Sequence, residues 1–319
     1  MNHVLVTGGA GFVGSHLVES LLDDGFSVVV LDDFSTGKLE NLPIHHPALE
    51  IVRGDIAEPE LIDTILSKHR FDYIVHLAAI ASVHQSVSDT FRTHRVNSEA
   101  SIYLLEAARR MGGLKRFVFA SSAAVYGEDI SLPKREDSPL RPISPYGIDK
   151  FSAEQYMLTY HELYDVPTVA LRYFNVYGPR QNDQAQDAGV ISIFMRLFSQ
   201  PVPRVTIYGD GHQTRDFIYI RDVVEATRFV MKHDAANGNV YNVATGRETS
   251  ILNIVQALEQ ISGKQAMINL RPHRPGDIER SFADISRIRA LGYTPRYNLE
   301  DSLRECFSDG FELFKAEAR

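Results

Sequence analysis

This chain of 319 residues lacks several features that would point to particular functions. It has one cysteine and no tryptophan. A single thiol excludes an internal disulfide and a cysteine-built metal cluster. Cys306 falls in a helical pattern with Leu299, Leu303, Phe307 and Phe311, which predicts buried filler rather than a nucleophile. The twelve histidines show no HExxH or comparable ligand spacing, so no metal site is expected. His45, His46, His84 and His94 read as surface or loop residues, and His76 as a hydrogen-bonded core residue. No apolar run approaches the ~18 residues that a membrane span requires. The first strand begins too early to leave room for a signal peptide, so the expectation is a cytoplasmic protein without a membrane partner. Basic residues are outnumbered 33 to 41, for a net charge of −8, which argues against a nucleic-acid partner. No repeat or low-complexity segment appears.

What is present is ordinary in bulk and specific in detail. A hydrophobic content of 44% and a charged content of 23% suit a globular protein with one large or two modest domains. The apolar run Val4-Leu5-Val6 ends in Thr7-Gly8-Gly9-Ala10-Gly11-Phe12-Val13-Gly14, and a helical apolar pattern (Leu17, Leu21, Leu22) follows. Strand, tight turn and helix in that order form a dinucleotide fingerprint. Gly8 permits the turn, Gly11 lets the backbone approach a pyrophosphate, and Gly14 allows close helix–strand packing; Phe12 and Val13 open the helix whose free N–H groups face the phosphates. The next apolar run, Val28–Leu31, ends in Asp32, about 20 residues on, where an acid holds the adenosine ribose. A carboxylate there repels a 2′-phosphate, so the expected cofactor is NAD rather than NADP.

Apolar strands near 50–52, 73–77, 117–120 and 168–171 alternate with helical segments near 58–68, 89–111 and 146–164. That rhythm predicts an α/β fold with a Rossmann-type doubly wound parallel sheet. After about residue 175 it breaks at Gly178-Pro179, Pro201–Pro203 and Gly209–Gly211, and helical patterns return near 221–233, 251–262 and 299–314. The expected organisation is an NAD-binding domain over 1–175, with 216–245 crossing back to it. A smaller mixed α/β domain over 176–215 and 246–319 would bind substrate.

Two further stretches carry chemistry. Ser121-Ser122-Ala123-Ala124 follows the fifth strand, and ligands bind beyond the carboxyl ends of such strands. Pro145-Tyr146-Gly147-Ile148-Asp149-Lys150 opens a helix that places Tyr146 and Lys150 on one face. An ammonium beside a phenol favours the phenolate, which suggests Tyr146 as general base, with Lys150 also holding the nicotinamide ribose.

At this point the sequence resembles the extended short-chain dehydrogenase/reductase superfamily, and within it the NAD-dependent UDP-sugar 4-epimerases. The matching segments run nearly the length of the chain: 7–16, Asp55-Ile56, 76–79, Asn97, 121–127, 146–150, 172–179, 209–219 and 274–277. The resemblance implies Asp55 and Ile56 at the adenine, Ala78 and Ala79 lining the cofactor cleft, and Asn97 in its polar shell. It implies Asn175 at the sugar diphosphate, Ser82 among the substrate-binding residues, Ser122 as a catalytic residue bonded to the sugar 4-oxygen, Arg215 and Arg274 as pyrophosphate clamps, and Asp277 on the uridine ribose. It implies a tightly held NAD regenerated in each turnover, and a homodimer formed by the helices near 89–111 and 146–164. The polar loop 181–187 is expected to fold over the sugar.

Ala123 and Ala124 stand where related dehydratases carry an Asp-Glu pair, and methyl groups do no acid–base work, so elimination is disfavoured and simple C4 epimerisation favoured. The segment Ile80-Ala81-Ser82-Val83 looks more like epimerases of N-acetylated sugars than like the best-known UDP-galactose enzymes. Ser281, small where some relatives carry Tyr, leaves room for an acetamido group. The expected substrate pair is UDP-N-acetylglucosamine and UDP-N-acetylgalactosamine, with UDP-glucose and UDP-galactose as slower substrates. The alternatives are a UDP-glucuronate 4-epimerase and, from another class, a non-catalytic NAD-binding regulator.

Overall fold

The computed structural model describes residues 2–183, 188–273 and 278–307. Short β-branched runs form the strands β1 (His3–Thr7), β2 (Ser27–Asp32), β3 (Leu49–Arg53), β4 (Tyr73–His76), β5 (Arg116–Ser122), β6 (Thr168–Tyr173) and β7 (Asn239–Val243). They make one parallel sheet in the order β3-β2-β1-β4-β5-β6-β7. The chain moves outward from β1 through β3, then returns to β1's other side for β4. That reversal is the switch point at which open α/β sheets bind ligands.

Side chains alternate across a strand, so each strand feeds two cores. Val4, Val6, Val28 and Val30 enter one layer with Leu17 and Leu21 of helix α1 (Phe12–Asp23). Leu5, Val29 and Leu31 enter the other with Ile62 of α2 (Pro59–Lys68) and Leu104 of α3 (Ala100–Met111). Helix α4 (Pro145–Tyr164) covers β5 and β6, α5 (Val190–Ser199) follows, and α6 (Ile220–Lys232) packs against α1. Before β7 the chain therefore runs back onto the large sheet. The remaining residues build a small layer around α5 and α7 (Ile251–Ser262), with paired strands at Arg204–Tyr208 and Met267–Arg271 and at Thr214–Arg215 and Thr249–Ser250. The chain is thus a Rossmann-type α/β protein. Among the described residues, no helix is long and apolar enough to cross a membrane.

One detail departs from the sequence expectation. The helix expected over 89–111 is three pieces: Thr90–His94, a π-helical turn Arg95–Glu99, and α3. The π turn carries Asn97, whose buried amide accepts from the Ile80 N–H (2.8 Å) and donates to the Ile80 carbonyl (2.9 Å). Of the helix expected over 299–314, residues 299–307 are described and helical, with Cys306 buried as expected; the rest lies outside the described residues.

Beneath the sheet's carboxyl edge lies a buried ionic network. The Arg172 guanidinium on β6 grips Glu154 on α4 with two bonds of 2.6 and 3.0 Å. Ser121 on β5 donates to the same carboxylate (2.6 Å), and Arg172 also donates to the Tyr126 hydroxyl (2.8 Å). Tyr126 in turn donates to Asn242 on β7 (2.6 Å), whose amide donates to the Lys134 and Asp284 carbonyls. Removing one partner of a buried pair leaves the other charge uncompensated. Glu154→Gln should therefore lower the unfolding free energy by about 3 kcal/mol, read as a fall in the denaturant midpoint.

Candidate active site

The switch point holds the glycine turn. Gly8 has φ +71°, and a Cβ there would lie 2.7 Å from the Ala78 nitrogen. A Cβ on Gly14 would lie 2.1 Å from the Gly8 carbonyl oxygen, so only glycine lets α1 start this close to β1. Gly11 is the N-cap and offers no capping side chain. The N–H groups of Phe12, Val13 and Gly14 thus have no intrahelical partner and face outward as an anion cradle. At the end of β2, Asp32 is buried and accepts from the Ala10 N–H (2.9 Å) and the Phe34 N–H (2.8 Å). Burial pushes its carboxyl up from the ordinary value, against those two hydrogen bonds. A helix N-terminus for the diphosphate and an acid at the next strand end fit a dinucleotide with a free ribose 2′-hydroxyl.

Around that turn the other cofactor-side residues fall at strand ends. Asp55 follows β3, accepts from the Ala57 N–H (2.9 Å) and pairs with Arg92; Ile56 beside it is buried. Ala78 and Ala79 follow β4, next to Gly8. His76 is fully buried between Thr7 (2.7 Å to Nδ1) and Ser101 (2.8 Å to Nε2), and burial lowers its pKa to about 3, so it is neutral. Ser101 donates to the Asn97 carbonyl, so Nε2 carries the proton and Nδ1 accepts from Thr7. Asn97 sits within this polar shell, but its amide is committed to Ile80, which makes it the clamp on the loop after β4.

Ser122, Tyr146 and Lys150 come together at the end of β5. Ser122 caps the short turn Ala123–Val125, accepting from the Ala124 N–H (3.2 Å), and stands beside the Tyr146 phenol. Tyr146 and Lys150 occupy the first turns of α4, whose N-cap is Ser144. Lys150 is only 3% exposed; its Nζ donates to the Ala120 carbonyl (2.8 Å) and lies 4.8 Å from the centre of the Phe119 ring. The electrostatics differ from the expectation drawn from spacing. Burial pushes the Tyr146 phenol up, the Ser122 hydrogen bond pulls it down, and Lys150 is not among the groups that shift it. Burial also lowers Lys150 itself to about 7, against the attraction of Asp149. An ammonium that is half neutralised and bonded to a carbonyl does not stabilise a phenolate directly.

Among the residues expected on the substrate side, Asp216 is the organiser. Its buried carboxylate accepts from Thr245 N–H (2.8 Å) and hydroxyl (2.6 Å), Gly246 N–H (2.9 Å) and Ala283 N–H (3.2 Å). Its carbonyl accepts from the Asn175 amide (2.9 Å). Arg215 precedes it and donates to the Thr214 carbonyl, which also receives the Ser281 N–H (3.2 Å). Asn175, Arg215 and Ser281 are therefore gathered at one place. Ser82 is a helix cap, its hydroxyl accepting from the Gln85 N–H (2.9 Å). Arg274 and Asp277 lie outside the described residues, as do residues 184–187, most of the loop 181–187. The buried Arg172–Glu154 pair escaped the sequence reading, although a charged residue inside the apolar run Thr168–Tyr173 requires a counter-charge.

A doubly wound sheet with an anion cradle at its switch point, and a Ser-Tyr-Lys cluster two strands away, defines a dinucleotide-dependent enzyme acting on an alcohol carbon. Residues 5–306 match the family named for GDP-mannose 4,6 dehydratase. The UDP-glucose 4-epimerase of Mycolicibacterium smegmatis is 40% identical over 308 residues, 94% of this chain and 95% of that one. The solved UDP-N-acetylglucosamine 4-epimerase of Methanobrevibacter ruminantium, in complex with UDP-N-acetylmuramic acid, has a TM-score of 0.92 at 37% identity, covering 98% of this chain and 99% of that one. The UDP-glucose 4-epimerase of Thermus thermophilus, solved with NAD, has a TM-score of 0.86 at 36% identity, covering 97% and 99%. The chain belongs to this family of extended short-chain dehydrogenase/reductases, and is an NAD-dependent sugar epimerase.

The buried lysine sets a stability test. Its folded-state pKa is about 7 against an unfolded value near 10.5, so below pH 7 both states are protonated and the full cost of burying the charge is felt. As pH rises from 7 towards 10, the wild type gains about 1.4 kcal/mol per unit from this group. Lys150→Met should melt no lower than the wild type at pH 6 and lose ground to it above pH 7, measured by thermal unfolding without added nucleotide.

Proposed function

We propose that the enzyme interconverts UDP-N-acetylglucosamine and UDP-N-acetylgalactosamine by C4 epimerisation, with UDP-glucose and UDP-galactose as slower substrates. The observation that carries the epimerase chemistry is Ser122 beside the Tyr146 phenol at the carboxyl end of β5, followed by two alanines. Bound NAD accepts the C4 hydride and returns it to the opposite face of the resulting 4-keto sugar. Tyr146 takes the 4-hydroxyl proton and later gives it back, and Ser122 holds the 4-oxygen through a hydrogen bond. Lys150 holds the nicotinamide ribose. Ala123 and Ala124 offer no group to abstract a proton at C5 or to protonate a leaving hydroxyl, so the intermediate has no route but return of the hydride. In this reading the family's dehydratase chemistry is absent.

The NAD-binding unit is residues 1–175 with 216–245. Gly8, Gly11, Phe12, Val13 and Gly14 take the diphosphate, Asp32 the adenosine ribose, Asp55 and Ile56 the adenine; Ala78, Ala79 and Asn97 form the cleft wall. Residues 176–215 and 246–319 hold the UDP-sugar, with Asn175 and Arg215 on the diphosphate, joined by Arg274, and with Asp277 on the uridine ribose. Two guanidinium groups suit a diphosphate because each offers forked donors. Ser281 supports the acetylated substrate: it lies beside the strand that carries Arg215 and presents a small side chain. Ser82 acts through the helix it caps.

The second proposal concerns assembly. Val87, Phe91, Ile148, Leu163 and Tyr164 are exposed on the helices that begin at Val83, Thr90 and Pro145, and Phe91 is 87% exposed. An apolar set of this kind on adjacent helices suits a partner surface, and a second copy of the chain would pack its own set against these helices.

The decisive test is proton NMR of the purified protein with UDP-N-acetylglucosamine and no added cofactor. New anomeric signals of UDP-N-acetylgalactosamine are expected, with Tyr146→Phe at least a hundredfold slower while still retaining NAD. Turnover of UDP-glucuronate or UDP-glucose alone would overturn the acetylated assignment; silence on all three with NAD supplied would overturn the C4 reading. For the assembly, Phe91→Glu with Leu163→Glu should sediment as a monomer where the wild type sediments as a dimer.

A further inference from the structure

Lys150 is enclosed by groups that give its charge little support. Around its Nζ lie the Phe119 ring and the Ala120 carbonyl on β5, and neutral His76 on β4. One turn further along α4, Glu154 is already neutralised by Arg172. Tyr146, one turn back, is a phenol beside Ser122. The negative charge left for Lys150 on its own helix is Asp149, only 4% exposed. Its Oδ1 accepts from Nδ1–H of His94, at 2.7 Å, across from the helix Thr90–His94. Its Oδ2 is buried and, among the described residues, has no hydrogen-bond partner. A buried carboxylate oxygen without a donor is costly unless a charge nearby offsets it. The neighbouring residue in sequence is a buried ammonium that needs the same service.

We propose that the Asp149 carboxylate, anchored by His94, is the counter-charge of the Lys150 ammonium and so a positioning residue for the lysine that holds the nicotinamide ribose. The inference rests on the role given to Lys150 above. Physically, the two buried ions offset each other's loss of hydration. Asp149 does not touch substrate or cofactor; it keeps Lys150 charged, and hence extended towards the ribose rather than neutral. The attraction of Asp149 is the force that opposes burial at Lys150. His94 matters because its Nδ1–H orients the carboxylate through Oδ1 and leaves Oδ2 without a hydrogen-bond partner among the described residues. The same contact joins α4 to the segment whose π turn carries Asn97, so the lysine and the clamp on the loop after β4 share one support.

The test compares Asp149→Asn, His94→Gln and Lys150→Met with the wild type across pH 6 to 9, in the enzyme as purified with its NAD. Two readouts are followed: NAD retained after gel filtration, and kcat/KM for the best UDP-sugar. Without its counter-charge Lys150 loses its proton at lower pH. Asp149→Asn should therefore move the alkaline fall of both curves acidward by about one unit. At pH 8 that means a loss of about tenfold, with near wild-type values at pH 6. His94→Gln, at a half-exposed position that tolerates change, should move the curves the same way by a smaller amount. Curves of unchanged shape in both variants overturn the counter-charge. Should Asp149→Asn fail to fold, His94→Gln decides alone. Full turnover in Lys150→Met would instead overturn the role of Lys150, a different outcome from an unshifted Asp149→Asn beside an inactive Lys150→Met.

Discussion

The bidentate pair between Arg172 and Glu154 is the contact on which the working edge of this protein depends. It joins β6 to α4, and the Ser121 hydroxyl brings β5 onto the same carboxylate. Ser122 is the next residue on β5, and Tyr146 lies two turns before Glu154 on α4. The distance between the serine and tyrosine hydroxyls is therefore set by an ion pair that touches neither. Through Tyr126 and Asn242 the same network reaches β7 and the segment at 134–136, so the returning chain is tied to the reacting edge. A buried ion pair is weak evidence for stability in itself, but one that three elements share fixes their relative placement.

Above that network, the reacting helix concentrates groups whose ordinary charge states are disfavoured. Lys150 is lowered by burial and Tyr146 is raised by it. Neither shift helps proton abstraction in the protein alone. Both prepare a site in which charge supplied with the cofactor has a large effect, because little water is present to screen it. Ser122 is the local partner that draws the phenol back towards its useful range. On the proposed reading, the alanines after it offer no competing proton path, so what the strand end omits matters as much as what it carries.

The cofactor edge rests on backbone proximity. Gly14 over Gly8 brings the first N–H groups of α1 to the switch point, and neutral His76 links Thr7 on β1 to the π turn through Ser101. Asn97 then holds the loop after β4 by both backbone polar groups of Ile80. The widened turn is where a helix gives up regular hydrogen bonding to place one amide, as π turns at functional sites do.

The amino-acid order alone determined the strand–turn–helix fingerprint, the six strands up to β6, the acid at the end of β2, and the Ser122, Tyr146 and Lys150 cluster. Each of these is written in local periodicity, in glycine spacing or in an i, i+4 relation. Tertiary structure decided the rest. That β7 joins beside β6, that Asn97 serves Ile80, that Asp216 gathers Asn175, Arg215 and Ser281, and that Arg172 finds Glu154 are all long-range pairings. Lys150 is the clearest division. The helix put it on the face of Tyr146, as spacing requires, but burial beneath Phe119 and a bond to Ala120 decided its charge. Desolvation depends on what surrounds a group from every side, and no single stretch of sequence contains that information.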